Sequence, residues 1–291
     1  MTDHASSIGL GSNLAPNNVR LGNDLHMPIT WSESALDLSS RVRVRFVGPL
    51  ETGAPVVVLH DAGAESVDAP AWDMVAEHRP ICQVMLPGVE GSTDVPDGAD
   101  ITWMTGLLAD VLVTLGAPPT TVVGTSLGGW FALETALAHP ALVQRLVLLD
   151  TAGLHSPPGY LFGLFADGQG QGGHDELLGP TMRNHRVPDH PAAIAPYLAD
   201  LTAAALHSWS PHLPDPSLLT RARQLTTPTT ILWGADDALI PVAHGRALAE
   251  VLPNATLEVV TDAGHLLAVD APALVAARIL GRPVPSGRHA T

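Results

Sequence analysis

The chain has 291 residues, 46% of them hydrophobic and only 15% charged, enough apolar material for one large core with an insertion or for two modest domains. That balance excludes a disordered chain and a coiled coil. A formal net charge of −15 with only 14 Lys and Arg argues against nucleic acid as a partner, because phosphate binding needs clustered cations.

The stretch Met1–Leu25 is polar and lacks the basic and apolar regions of a secretory signal, so residues 1–28 read as an N-terminal arm. No uninterrupted apolar run reaches the length of a membrane span, and the expected location is cytoplasmic. Strand-like apolar runs follow at Val42–Val47, Pro55–His60, Ile81–Leu86, Thr121–Gly124, Leu146–Leu149, Thr230–Trp233 and Leu257–Val260. Val56-Val57-Val58-Leu59 is apolar on consecutive positions, as expected where helices cover both faces of a sheet. The single cysteine, Cys82, excludes an internal disulfide and a thiolate metal cage; inside Ile81-Cys82-Gln83-Val84 it reads as an inert core thiol.

Helices fit between the strands. Asp100 is placed to cap a helix carrying Ile101, Met104, Leu108, Val111 and Leu115, with Gly116 to end it. Others fit Leu127 to His139, stopped by Pro140, then Ala243–Leu252, and Ala271–Leu280 ending at Gly281. The alternation predicts an α/β fold, a mostly parallel twisted β-sheet flanked by helices. It breaks between 152 and 226, where Pro157-Pro158, a Gly/Gln run and scattered aromatic residues suggest an inserted helical lid rather than further βαβ units. The expected division is a core over 29–151 and 227–282, the lid over 152–226, and a C-terminal tail over 283–291.

Gly124-Thr125-Ser126-Leu127-Gly128 follows a β-branched run and precedes a helix-compatible one. A serine at such a strand-to-helix turn has its hydroxyl exposed at the carboxyl edge of the sheet, and the helix N-terminus favours negative charge there. Serine alone is a poor nucleophile and needs a base. Asp236-Asp237 follows the strand ending at Trp233, and His265 follows the strand ending at Val260, so acid and imidazole also leave carboxyl ends of strands. The candidate catalytic residues are therefore Ser126, His265 and Asp237, with Asp236 competing for the acid. Asp150, after Leu149, is a further acid at a strand end, readable as a displaced triad acid or as a structural hydrogen-bonding group.

These motifs resemble those of the lid-bearing α/β-hydrolase superfamily, as in its esterases, cofactor-free haloperoxidases and carbon–carbon hydrolases of the meta-cleavage type. The resemblance runs from about Val42 to Leu280. It rests on Gly-Thr-Ser-Leu-Gly-Gly-Trp at the elbow, on Gly234, Asp237 and Pro241 in the acid motif, and on Gly264-His265 with Asp270-Ala271-Pro272. The acid motif is what ranks Asp237 above Asp236. The resemblance implies an oxyanion hole made by the backbone N–H groups of Leu127 and of Ala62, in His60-Asp61-Ala62-Gly63. It implies substrate contacts from His60, Asp61, Trp130 and, in the lid, Phe162 and Trp209. Two departures stand out. Asp61 replaces a glycine and would oppose an oxyanion if it faced one. In Met85-Leu86-Pro87-Gly88-Val89-Glu90-Gly91-Ser92, Met85 replaces an acid and Glu90 a glycine.

A serine at the elbow argues against haloalkane dehalogenases and related epoxide hydrolases, which carry Asp there. No zinc-protease, Walker or dinucleotide motif is present, and His185 to His190 reads as a solvated lid loop rather than a metal site, so no cofactor and no metal are expected. The expected function is hydrolysis of an apolar carboxylic ester, thioester or lactone on a small-molecule substrate. Two alternatives stay open: carbon–carbon cleavage with Arg183 or Arg186 holding a substrate carboxylate, and a non-hydrolytic ligand-binding or cyclising role. The oligomeric state is open, a homodimer being one option.

Overall fold

The computed structural model describes residues 29–48, 54–61, 65–89, 91–116, 119–154, 215–237 and 239–284. In chain order these form β1 (Ser32–Asp37), β2 (Arg41–Val47), β3 (Val56–Leu59), α1 (Pro70–Ala76), β4 (Ile81–Val84), α2 (Ile101–Thr114), β5 (Thr120–Thr125) and α3 (Leu127–Ala138). They continue with β6 (Val143–Leu149), α4 (Leu218–Ala222), β7 (Thr229–Gly234), α5 (Val242–Val251), β8 (Ala255–Val260), α6 (Leu267–Asp270) and α7 (Pro272–Leu280), besides short 3₁₀ turns.

The strands make one eight-stranded sheet in the order β1-β2-β4-β3-β5-β6-β7-β8. β1 and β2 pair antiparallel, as do β2 and β4; every other neighbouring pair is parallel. The consecutive apolar runs are explained by two cores, one on each face. Val57, Leu59, Val122, Leu146, Leu148, Ile231 and Trp233 join the core beneath α2, α3, α4 and α5. Their neighbours Val56, Val58, Val123, Val147, Leu149 and Leu232 join the core beneath α1, α6 and α7. Period-2 side-chain geometry sends alternate residues to opposite faces, so a strand buried on both needs no polar positions.

Helix boundaries follow local chemistry. Asp100 Oδ1 accepts the Trp103 N–H at 2.9 Å and so caps α2, as its sequence position predicts. Gly281 ends α7 at φ 65. Cys82 is fully buried in β4, and burial pushes its thiol up to about 12, in keeping with an inert core residue.

The topology also fixes where a site can form. β3 is followed by α1 on one face of the sheet, whereas its neighbour β5 is followed by α3 on the other. Chains leaving adjacent parallel strands in opposite directions open a crevice at their carboxyl ends. His60 and Asp61 leave β3 there, and Ser126 leaves β5.

Of the expected insertion, residues 152–154 and 215–226 are described. Leu218, Ala222 and Leu225 are buried in the core, and Asp215 N donates to Gly153 O at 3.1 Å, bonding the departing chain to the returning one. Phe162, Arg183, Arg186 and Trp209 lie outside the described residues, as do Ala62 and both chain ends beyond 29 and 284.

Candidate active site

Ser126 sits between β5 and α3 with φ 51 and ψ −117, a strained backbone for a residue with a side chain. The surroundings hold it there. Ser126 N donates to Leu149 O at 2.9 Å, and Ser126 O accepts from Trp130 N at 3.2 Å and Ala152 N at 3.0 Å. The flanking glycines are sterically required. A side chain at Gly124 would strike the Gly128 backbone, and one at Gly128 would strike the carbonyls of Leu59 and His60. Those contacts bring the β5–α3 turn against the end of β3. As first residue of α3, Leu127 has no intrahelical acceptor for its N–H.

Two strands further along the same sheet edge, the turn after β7 presents Asp237. Its Oδ1 accepts the N–H groups of Leu239 at 2.8 Å and Ile240 at 2.9 Å, and its Oδ2 meets His265 Nδ1 at 2.9 Å. Asp237 and His265 are both buried, while Asp236 is exposed to solvent, so the geometry separates the two acids that share the turn. The turn and the histidine loop are stitched together by backbone. Ala235 N donates to Val260 O at 2.8 Å and Asp236 N to Ala263 O at 2.9 Å, and Trp233 Nε1 closes the turn on Ile240 O at 3.0 Å. On the other side of His265, Asp270 Oδ2 accepts the Gly264 N–H at 2.8 Å. Burial raises the Asp270 carboxyl, against the opposing pull of that N–H.

His60 is buried and tied down at both ring nitrogens. Its Nε2 accepts the Leu86 N–H at 3.0 Å, which leaves the proton on Nδ1, 2.5 Å from Asp61 O. Burial lowers its basicity, although the Asp61 carboxylate and carbonyl pull the other way, so the ring is a neutral brace between the loops after β3 and β4. Asp61 is itself buried, 5% exposed. Of the departures noted in the sequence, Met85 is buried and its backbone carbonyl accepts Ser92 Oγ at 2.7 Å, and Glu90 lies outside the described residues.

Trp130 points into the core. It is 1% exposed, its ring lies 5.4 Å from that of Phe131, and its Nε1 donates to Glu134 Oε1 at 3.1 Å. Glu134, in turn, is held by both guanidinium NH groups of Arg221 from α4. Sequence reading did not pick out Glu134 and Arg221. The available signal was an acid set in an otherwise apolar helix, Trp130 to Ala138, in a chain with few cations to pair it.

Chemically, a carboxylate on Nδ1 fixes the imidazole tautomer and stabilises the imidazolium, and a positive-φ serine at a helix N-terminus is posed for attack on an acyl carbon. Among the described residues no group of three or more His, Cys, Asp or Glu side chains could hold a metal ion, and no helix is long and apolar enough to cross a membrane.

Comparison with known proteins agrees with the architecture. The chain is 29% identical over 244 residues to 2-hydroxymuconate semialdehyde hydrolase of Pseudomonas putida, covering 73% of this chain and 81% of that one. In fold it is similar to naproxen esterase (carboxylesterase NP) of Bacillus subtilis, with a TM-score of 0.71 at 20% identity over 87% of this chain and 92% of that one. A serine hydrolase of the polyaromatic-hydrocarbon-degrading bacterium Cycloclasticus zankles superposes with a TM-score of 0.70 at 18% identity over 87% and 98%. Residues 56–278 match the family model described as the alpha/beta hydrolase family, and the chain belongs to that family.

Proposed function

We propose that the chain is a serine hydrolase that cleaves an apolar carboxylic ester, thioester or lactone, with Ser126 as nucleophile, His265 as base and Asp237 as orienting acid. The observation that carries this reading is the 2.9 Å contact of Asp237 with His265 Nδ1, which supports proton transfer through Nε2. In this scheme Ser126 Oγ attacks the carbonyl carbon while its proton passes to His265 Nε2. The tetrahedral oxyanion is met by the N–H of Leu127 and, in the family pattern, of Ala62. Collapse expels the alcohol or thiol with the proton from His265, leaving an acyl-Ser126 ester. Water, deprotonated by the same imidazole, then releases the acid and restores the serine.

The likeness to 2-hydroxymuconate semialdehyde hydrolase supports a second reading, cleavage of a carbon–carbon bond beside a carbonyl. Treatment with a fluorophosphonate probe, with the adduct located by mass spectrometry, tests both. Labelling at Ser126 that is lost in His265→Ala is the expected result. A folded protein that stays unlabelled would overturn both hydrolase readings in favour of a non-hydrolytic role. Turnover of short p-nitrophenyl esters against a vinylogous diketone acid divides the first reading from the second.

A further inference from the structure

Asp150 follows β6 and lies between the strand that leads to Ser126 and the one that leads to Asp237. Its side chain is fully buried, its φ is 45, and its own N–H donates to Leu232 O at 3.1 Å. Its Oδ1 accepts the N–H of Gly234 at 2.8 Å. Gly234 is where β7 ends and the Asp237 turn begins, and its Cα faces the carbonyls of Ala263 and Gly264 so closely that a side chain there would strike them. The Asp150 carboxyl therefore holds a backbone position that touches both the turn of the acid and the loop of the histidine.

Two buried carboxyl groups close together cannot both ionise without strong repulsion, so the question is which keeps its proton. Asp237 accepts two backbone N–H groups and meets His265 Nδ1. The charged groups that face Asp150 among the described residues are Asp237, from the turn after β7, and Asp270, from α6; both are acids. Its Oδ1 is held by the Gly234 N–H, and its Oδ2 is buried with no hydrogen-bond partner among the described residues.

We propose that Asp150 is a positioning residue for the triad acid: an un-ionised carboxyl group that fixes the β7 turn through Gly234 and leaves Asp237 to carry the negative charge beside His265. The inference rests on the assignment of Asp237 as the acid of the site. Burial, reinforced by the Asp237 charge and only partly opposed by the Gly234 and Leu267 N–H groups, pushes the Asp150 carboxyl well above the usual carboxylate range. A group raised in this way contributes stability that is complete at low pH and is lost as pH climbs through its folded-state value. Asparagine keeps an oxygen for Gly234 N–H and has nothing to lose.

The test is a pair of variants, Asp150→Asn and Asp150→Ala, read by thermal unfolding from pH 4 to 8 and by ester turnover. The melting temperature of Asp150→Asn relative to wild type should climb with pH, by at least about 3 °C across that range. Its kcat should stay within about threefold of wild type with the acid limb of the pH profile unmoved, whereas Asp150→Ala should lose more than about tenfold in kcat with little change in KM. A melting-temperature gap that is flat with pH overturns the proposal, as does an asparagine variant that loses as much activity as alanine, which would make Asp150 a working anion. If wild type neither turns over esters nor labels at Ser126, the hydrolase reading fails by itself. The unfolding series still decides whether Asp150 is un-ionised.

Discussion

Arg221 and Glu134 stand 87 positions apart in the chain, and both guanidinium NH groups reach one carboxylate, at 2.6 and 2.5 Å. The same Arg221 also grips Asp215, and Glu134 accepts the indole N–H of Trp130, one helical turn beyond Ser126. A polar chain thus runs from the returning segment, through α4, to the helix that carries the serine. Glu134 is only 4% exposed, so its charge depends on this company.

Removing the cation should therefore be costly. Arg221→Met leaves a buried carboxylate with Trp130 as its remaining described partner and should destabilise the fold by about 2–3 kcal/mol. That is below the usual 3–5 for a fully buried pair, because the Arg221 side chain is 36% exposed. Urea unfolding, with the midpoint and slope compared to wild type, measures it.

Asp215 gives the same network a pH signature. Burial pushes its carboxyl up, but hydrogen bonds from Ser217 and the Arg221 guanidinium more than offset this and hold it below the usual range. A depressed folded-state value means stability that is present above the unfolded carboxylate range and lost as pH falls through the folded one. Asp215→Asn should be less stable than wild type at pH 7, and the two unfolding curves should converge on acidification below about pH 4. A constant gap down to pH 2.5 would show that charge at Asp215 is not the cause.

On the opposite flank of α3, Thr135 lines a small cavity whose other walls are Val57, Leu59, Val84, Leu108, Val111, Leu112 and Val122. Its hydroxyl is buried there without a hydrogen-bond partner. Thr135→Val exchanges an unsatisfied hydroxyl for a methyl of similar size and should stabilise the protein by about 1 kcal/mol. A decrease in melting temperature would contradict this.

For the chemistry, Asp237→Asn is the most telling change. It keeps the shape of the turn but offers His265 an amide in place of an anion, so the wrong tautomer and an unsupported imidazolium should lower kcat by roughly 10⁴. Circular dichroism and melting temperature should stay close to wild type. Asp236→Asn, at the exposed neighbour, should leave kcat within about twofold.

Much of the scaffold was legible because its strands are buried on both faces and so spell unbroken apolar runs, as at Val56–Leu59 and Leu146–Leu149. β1 was not: Ser32–Asp37 is an edge strand with exposed ends, and its polar letters match a loop as well as a strand. α1, seven residues long, is too short for periodicity to declare itself. The strand-end positions of Ser126, Asp237 and His265 could be read because each follows a recognisable strand. The direction of a side chain could not. Trp130 sits beside the serine in sequence yet faces the core, since one turn of helix reaches both surfaces. His60 and Leu86, 26 positions apart, meet only once β3 and β4 are paired.

The hydrogen bond from Asp215 to Gly153 has an architectural consequence. The long excursion between them departs from and rejoins the sheet at a single doorway, so to the scaffold it is a closed cassette. Doubling the length of such a loop costs only about 0.6 kcal/mol in closure entropy. Its length can thus be changed by evolution or by grafting, while the strands that lead to serine, acid and imidazole keep their register.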